Sequence, residues 1–468
     1  METKNHAKNL TYQPKTAWNL YDQNMYSQIF YINDEYKDFL NKAKTERETS
    51  SEIESIARAH GFVPIDQVNQ IGPGSKVMLN YRNKAVMLAV VGTTPLEQGC
   101  NIIGSHSDVP RLDLKPNPLY EEQQLALLKT HYYGGIKKYQ WLGIPLALHG
   151  VVCRADGVTV NIVVGEDEND PVFTITDLLP HLAKNQMEKK MTEAIKGEGL
   201  NILIGGIPLI GNADTKNPVK LAVLDALNKK FGMVEEDFIS AEFEMVPAFK
   251  AKDVGIDRSM VGAYGQDDRV CVYTSLRAIL DIEQPQHTAV TIFMDKEEIG
   301  SSGNTGMDAK TFENFMAELI SKTMPSYNEL ILRRCLANSK ALSADVTAAF
   351  DPNYPDVLEK NNAARCGYGV VMTKYTGSRG KSGANDAHAE FMGYIRNLFK
   401  GHNIPYQVGE LGKVDQGGGG TIAYLMAAYG MDVLDCGVAL LGMHSPFEVS
   451  SKADVYATYQ AYKVFLEQ

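Results

Sequence analysis

Residues 288–306 hold the most concentrated chemistry in the sequence. Residues 288–294 are rich in β-branched and apolar side chains and read as a buried strand. The run stops at Asp295, Lys296, Glu297 and Glu298, and a loop of Gly300, Ser301, Ser302, Gly303, Asn304 and Gly306 follows. Adjacent carboxylates where a strand gives way to a glycine-rich loop need something positive or protic opposite them. A pair of metal ions meets that need, with one glutamate binding metal and the other handling a proton. For an isolated Glu-Glu pair, a solvated acidic turn is the more ordinary reading.

Other short segments have the same shape. Residues 99–104 read as an apolar strand ending in Ser105, His106, Ser107 and Asp108. The neutral imidazole of His106 is a metal donor, and Asp108, two residues on, can hold the ring's other N–H and fix its tautomer. Gln266, Asp267, Asp268 and Arg269 precede a helix with apolar positions at Val270, Leu276, Ile279 and Leu280. Carboxylates there suit an N-cap, and a helix start also gives the fixed backbone that a bridging aspartate needs. Asp345 closes the segment Ser343-Ala344-Asp345, and strand-like residues 431–441 run into Gly442, Met443, His444 and Ser445. Each motif alone has an ordinary structural explanation. Together, two histidines and three carboxylates can bind two zinc-like ions if one carboxylate bridges.

The elements that must position these residues follow an α/β pattern, in which strand ends form ligand crevices. Residues 17–60 have helical spacing, with Ser50 or Ser51 as a cap and a stop at Gly61; residues 76–91 read as a hairpin turning near Arg82 and Asn83. From Pro110 the chain becomes proline-punctuated and strand-like, which marks an inserted β-rich domain over residues 110–253. Residues 1–109 and 254–468 then form the two parts of one α/β domain. Helices are expected over 219–230, 310–336 and 452–466. His181, in the irregular middle of the insertion, reads as structural, with substrate or additional metal binding as the alternative. Lys374, Arg379 and Lys381 share a basic loop that near an active site can hold an acidic side chain. Gly417 to Gly420, with Gly418 and Gly419 at their centre, lead into a helix running to Tyr429, and their N–H groups can approach a ligand. They lack the Lys-Ser/Thr of a P-loop and the spacing of a dinucleotide fingerprint, so nucleotide binding is rejected.

Composition sets the frame. At 468 residues, 44% hydrophobic and 22% charged, the chain is long enough for two or three domains of ordinary globular make-up. A net charge of −11 without a long basic run argues against nucleic acid and anionic membranes as partners. The six cysteines form no CxxC pair and suit reduced thiols. The polar N-terminus has no apolar core like that of a signal peptide and no run is long enough to span a bilayer, so a cytoplasmic protein is expected.

The ordered set SHSD, YYGG followed by W, PHLA, DDR, EEIGS, SAD, GGGGT and MHSPFE resembles the aspartyl aminopeptidase family of dinuclear zinc metallopeptidases, in a bacterial form with QDDR where others have LDN. The resemblance runs from about Gly104 to the C-terminus. It implies a zinc exopeptidase-like fold, a mixed β-sheet flanked by helices with an inserted dimerisation domain, and a self-associated particle, commonly a dodecamer. It implies peptide substrates and two divalent ions per subunit, zinc first, with manganese or cobalt as alternatives. His106 and Asp345 would be terminal ligands, Asp267 the bridge, and Glu298 and His444 ligands on the other side. Glu297 would be the general base and Asp108 the partner of His106. An acidic N-terminal residue is one implied preference, and a neutral or apolar one the alternative. A different dinuclear hydrolase, acting for example on phosphoesters, and a silent peptide-binding scaffold are the other readings. One departure is Asn185, where some members place a histidine that reaches a neighbouring subunit.

Overall fold

The β-branched run at 288–294 forms the strand Ala289–Met294, buried along its whole length, in the computed structural model that describes residues 10–12, 14–211 and 216–468. It pairs in parallel with Asn101–His106, Met294 opposite His106, and antiparallel with Ala85–Val90. On its other side Asn101–His106 runs parallel to Lys340–Ser343, which runs parallel to Asp432–Gly437. Four neighbouring parallel strands therefore finish at one edge of a nine-stranded mixed sheet, and their exits lead to Asp295, Ser107, Ala344 and Val438.

Both faces of this sheet are covered, which is why its central strands read as continuous apolar runs rather than alternating ones. Ile103, Phe293, Leu342 and Leu434 face one core with residues of the helices Gln23–Lys42, Gln266–Leu280 and Lys452–Leu466. Ile102, Ile292, Ala341 and Val433 face the other, with residues of Thr311–Thr323, Glu329–Asn338 and Ala423–Ala427. Arg269 is fully buried in the first core, where its guanidinium donates to the carbonyls of Gly265, Leu40, Ala43 and Tyr264.

By contacts the chain divides into two compact units. One comprises the chain up to Asp108, Ala251–Met443 and Glu448–Gln468; the other comprises Val109–Lys250 and His444–Phe447. The second unit is built on a six-stranded sheet in the order Thr159–Val164, Leu146–Cys153, Ala241–Pro247, Arg111–Glu122, Leu125–Tyr133 and Ile202–Gly205, with the helix Pro218–Phe231.

Several elements differ from their sequence-based boundaries. The helix Glu46–Ala59 is capped by Thr45 and not by Ser50 or Ser51, because Thr45 and Glu48 form a reciprocal capping box one turn earlier. The helical stretch 310–336 is two helices, the second capped by the Asn328 side chain. After the glycines the helix is only Ala423–Ala427, and Gly418–Gly419 instead pairs antiparallel with Gly377–Ser378. The polar N-terminal stretch read as lacking a signal-peptide core lies, over residues 1–9, outside the described residues. Among the described residues no helix is long and apolar enough to cross a membrane.

Candidate metal centre

The shared strand edge brings His106, Asp267 and Asp345 together, each with a ligand atom within 4.8 Å of the others. His106 ends its strand and is 2% exposed. Its Nδ1 lies 3.0 Å from the main-chain oxygen of Asp108 and 3.3 Å from Asp108 Oδ1, so Nδ1 carries the hydrogen. Nε2 then presents its lone pair, and it points at acceptors: Asp267 Oδ1 at 3.3 Å, Asp345 Oδ1 at 3.9 Å and Glu297 Oε2 at 4.0 Å. Lone pair against carboxylate oxygens is repulsive unless a proton or a cation stands between them.

The electrostatics make the same point. Burial depresses the His106 imidazole, yet the hydrogen bonds that its protonated form makes to Asp108 and Asp267, with Glu297 and Asp345 nearby, outweigh it and hold the ring well above its usual range. Burial, and then the neighbouring Asp268, push the Asp345 carboxyl well above the carboxylate range. A divalent ion relieves both effects at once, and one imidazole with carboxylates is a donor set that suits zinc. Asp267 also offers an oxygen within 4.8 Å of one from Glu298, so a single aspartate faces both groups.

Asp267 and Asp268 stand where the sequence places a helix start, but neither is helical: Asp267 has φ −80° and ψ 107°, Asp268 φ −112° and ψ 25°. The peptide bond between them is cis. What holds Asp267 is its own N–H, which donates to Glu448 Oε2 at 3.1 Å, and Gln266, whose amide donates to Val261 O and Glu448 O. Asp268 turns inward, accepts the His106 N–H at 3.3 Å, and is pushed well above the carboxylate range by burial. Neither Glu448 nor Asp268 was singled out for this role from sequence. A glutamate four residues beyond His444 and a second aspartate beside the first were the only signals.

Asp108 does more than face His106. Its carboxylate accepts the N–H of Glu297 at 3.0 Å and that of Glu298 at 3.2 Å, tying the histidine's strand to the Glu-Glu turn. Glu297–Ile299 is a short 3-10 turn entered through Lys296 at φ 70° and left through Gly300 at φ 96°.

His444, at φ 63°, belongs by contacts with the second unit, where its Nδ1 is 2.8 Å from Gly135 O. A side chain at Gly135 would crowd that ring, since an added Cβ would stand 3.2 Å from it. His181 lies exposed in the turn Pro180–Leu182 of the same unit, and Asn185 is exposed nearby. Lys374 and Lys381 both bind Asp386, at 2.7 and 3.1 Å. Arg379 is exposed at φ 50°, next to the ladder that joins Gly377–Ser378 to Gly418–Gly419.

Comparison with known proteins gives the geometry a family. The model of the aminopeptidase I zinc metalloproteases, M18, matches residues 39–466. A Clostridium acetobutylicum protein named as a probable M18 family aminopeptidase 1 is 53% identical over 456 residues, covering 97% of this chain and 98% of that relative. The crystal structure of an M18 family aminopeptidase from Thermotoga maritima superposes with a TM-score of 0.94 at 48% identity, covering 98% of this chain and 100% of that one. A crystal structure of aminopeptidase I from Clostridium acetobutylicum superposes at 0.92, also at 48% identity, with 98% and 100% covered. With nearly its whole length matched, the chain belongs to the M18 family of zinc aminopeptidases.

Proposed function

We propose that this zinc aminopeptidase holds two divalent ions per subunit, zinc first and manganese or cobalt as substitutes, with His106 and Asp345 on one ion, Glu298 and His444 on the other, and Asp267 shared. The observation that carries this is Asp267, one carboxylate within ligand distance of both the His106–Asp345 group and Glu298. His444 is included because residues 444–447 are tethered at both ends, by Met443 and Glu448, to the unit that holds the other ligands. When bound, such ions polarise a peptide carbonyl and bring the pKa of water down to about 7.

The chain's own residues supply the rest. Glu297, at the mouth of the group and partly exposed, is the general base that takes the water's proton and returns it to the leaving amine, a contribution of about 10²–10⁴-fold. Asp108 orients that turn and helps hold His106. The reaction is hydrolysis of the bond after a peptide's N-terminal residue. The test is turnover of an unblocked peptide against its N-acetylated form, with zinc, manganese or cobalt added. Equal cleavage of both would overturn the exopeptidase assignment, and phosphoester cleavage alone would favour the other dinuclear chemistry.

Preference at the N-terminal residue divides on one loop. Arg379 supports an acidic preference, while the capture of Lys374 and Lys381 by Asp386 supports a neutral or apolar one. A panel of aminoacyl chromogenic substrates separates the two. Family likeness supports self-association: a yeast aminopeptidase structure described as a dodecamer shares this fold at 21% identity. We place this chain in a similar particle in the cytoplasm, in keeping with its six free thiols.

A further inference from the structure

The loop that carries Glu297 closes on itself at a polar neck. Asp295 leaves the strand Ala289–Met294, and its N–H donates to Thr305 O at 3.2 Å. Thr305 Oγ1 donates to Asp295 Oδ2 at 2.6 Å and accepts from Lys296 Nζ at 2.7 Å. Lys296 Nζ also lies 3.0 Å from Asp295 Oδ2, which completes a triangle of three side chains. Thr305 is 1% exposed and Asp295 2%, so the bond between them is shielded from competing water, while Lys296 reaches them with a side chain 26% exposed.

Lys296 enters the Glu-Glu turn in the left-handed region, which for a residue with a Cβ costs roughly 1–2 kcal/mol. Its bonds to Asp295 and Thr305 offset that cost, since hydrogen bonds to ionised groups are about twice as strong as neutral ones. The lysine stem is packed as well: a Cβ on Gly303 would stand 3.2 Å from Lys296 Cδ. Inside the neck, Ser301 N–H donates to Lys296 O at 2.7 Å and Gly300 N–H to Glu297 O at 2.9 Å. Asp108 ties the turn through the N–H groups of Glu297 and Glu298; the triangle fixes the residue immediately before them.

We infer that Thr305 and Lys296 are positioning residues for Glu297, holding the turn so that this carboxylate meets the reacting water in one orientation, an inference that rests on Glu297 being the base. Both side chains bond within the loop, to Asp295 and to each other, so the role assigned to them acts through Glu297 on turnover and not on binding.

The test uses the full-length, zinc-loaded enzyme. Thr305→Val keeps the volume and removes the hydroxyl, Thr305→Ser keeps the hydroxyl, and Lys296→Met keeps most of the stem and removes the ammonium. Thr305→Val and Lys296→Met are expected to lower kcat about 10- to 100-fold, the size of effect that small misplacements of a reacting group produce. KM and zinc content stay unchanged, and Thr305→Ser restores kcat. Glu297→Gln is measured alongside. If Glu297→Gln turns over like wild type, the base assignment is what fails. If it loses turnover while Thr305→Val and Lys296→Met keep wild-type kcat, the positioning role fails alone. Loss of kcat that follows loss of zinc, or no rescue by serine, would also overturn it. Should Thr305→Val fail to fold, Lys296→Met, at a side chain 26% exposed, decides the matter.

Discussion

Replacing Asp108 by asparagine separates two jobs that one carboxylate can do. The sequence pattern assigns Asp108 to the His106 ring, but Nδ1 is nearer the main-chain oxygen of Asp108, at 3.0 Å, than the carboxylate, at 3.3 Å. The Asp108→Asn variant would keep the main-chain oxygen, so the tautomer and the orientation of Nε2 survive. What changes is the Glu-Glu turn, whose two N–H groups donate to the two carboxylate oxygens. Asparagine retains one acceptor and turns an amide N–H toward the other donor. Losing one charge-assisted bond and leaving a donor unmatched costs about 2–3 kcal/mol. If the full cost falls on the transition state, kcat drops about 30- to 150-fold at 1.36 kcal/mol per decade. Zinc affinity should fall by about tenfold or less, the low end for partners of a metal ligand. Steady-state kinetics on an unblocked peptide and zinc competition with a chelator measure both. A variant with wild-type kcat but zinc affinity down about 100-fold would refute this division of labour.

Other outcomes follow from the same geometry. Glu297→Gln should retain zinc and lose about 10²–10⁴-fold in kcat, measured by metal content and turnover. His106→Ala and His444→Ala should each lose zinc and activity together, read by elemental analysis. Arg269→Met leaves four buried carbonyls short of their donor and should cost about 3 kcal/mol or more, seen as a lower urea midpoint at constant m-value. Asp454 accepts the N–H groups of Gly367 and Gly369, and its burial raises the carboxyl from 3.8 to about 7. The native state therefore holds this proton more tightly than the unfolded chain does. Its contribution to stability is full below the unfolded pKa and declines as pH rises toward about 7, and Asp454→Asn should flatten that slope in unfolding measured across pH.

The strands that deliver the site were legible because they are buried on both faces and end abruptly in polar residues, as Ala289–Met294 and Asn101–His106 show. The closing helix Lys452–Leu466 was legible in its extent, but it is buried on most sides and not amphipathic as its spacing suggested. Asp267 was singled out for a reason that is only partly right: the residue sits at a helix start, but Glu448 and Gln266 hold it, not helical geometry. Local propensity also misplaced the cap at Ser50 or Ser51, since Thr45 pairs reciprocally with Glu48. The glycine run was read through the helix that follows it, whereas its partner strand, Gly377–Ser378, is about 40 residues away and leaves no periodic trace. Thr305 escaped notice for a similar reason. A lone threonine in a loop becomes meaningful only when the chain returns it to Asp295, and sequence spacing does not reveal that return.

The shared role of Asp267 is the point on which the dinuclear account turns. Zinc stoichiometry of the purified enzyme, its Asp345→Ala variant and its Asp267→Ala variant tests it directly, with turnover of an unblocked peptide read on the same samples. Two zinc ions per subunit in the wild type, one after loss of Asp345 and none after loss of Asp267, with activity gone in both variants, is the predicted result. Undiminished zinc in Asp267→Ala, or a single ion in the fully loaded wild type, would contradict it.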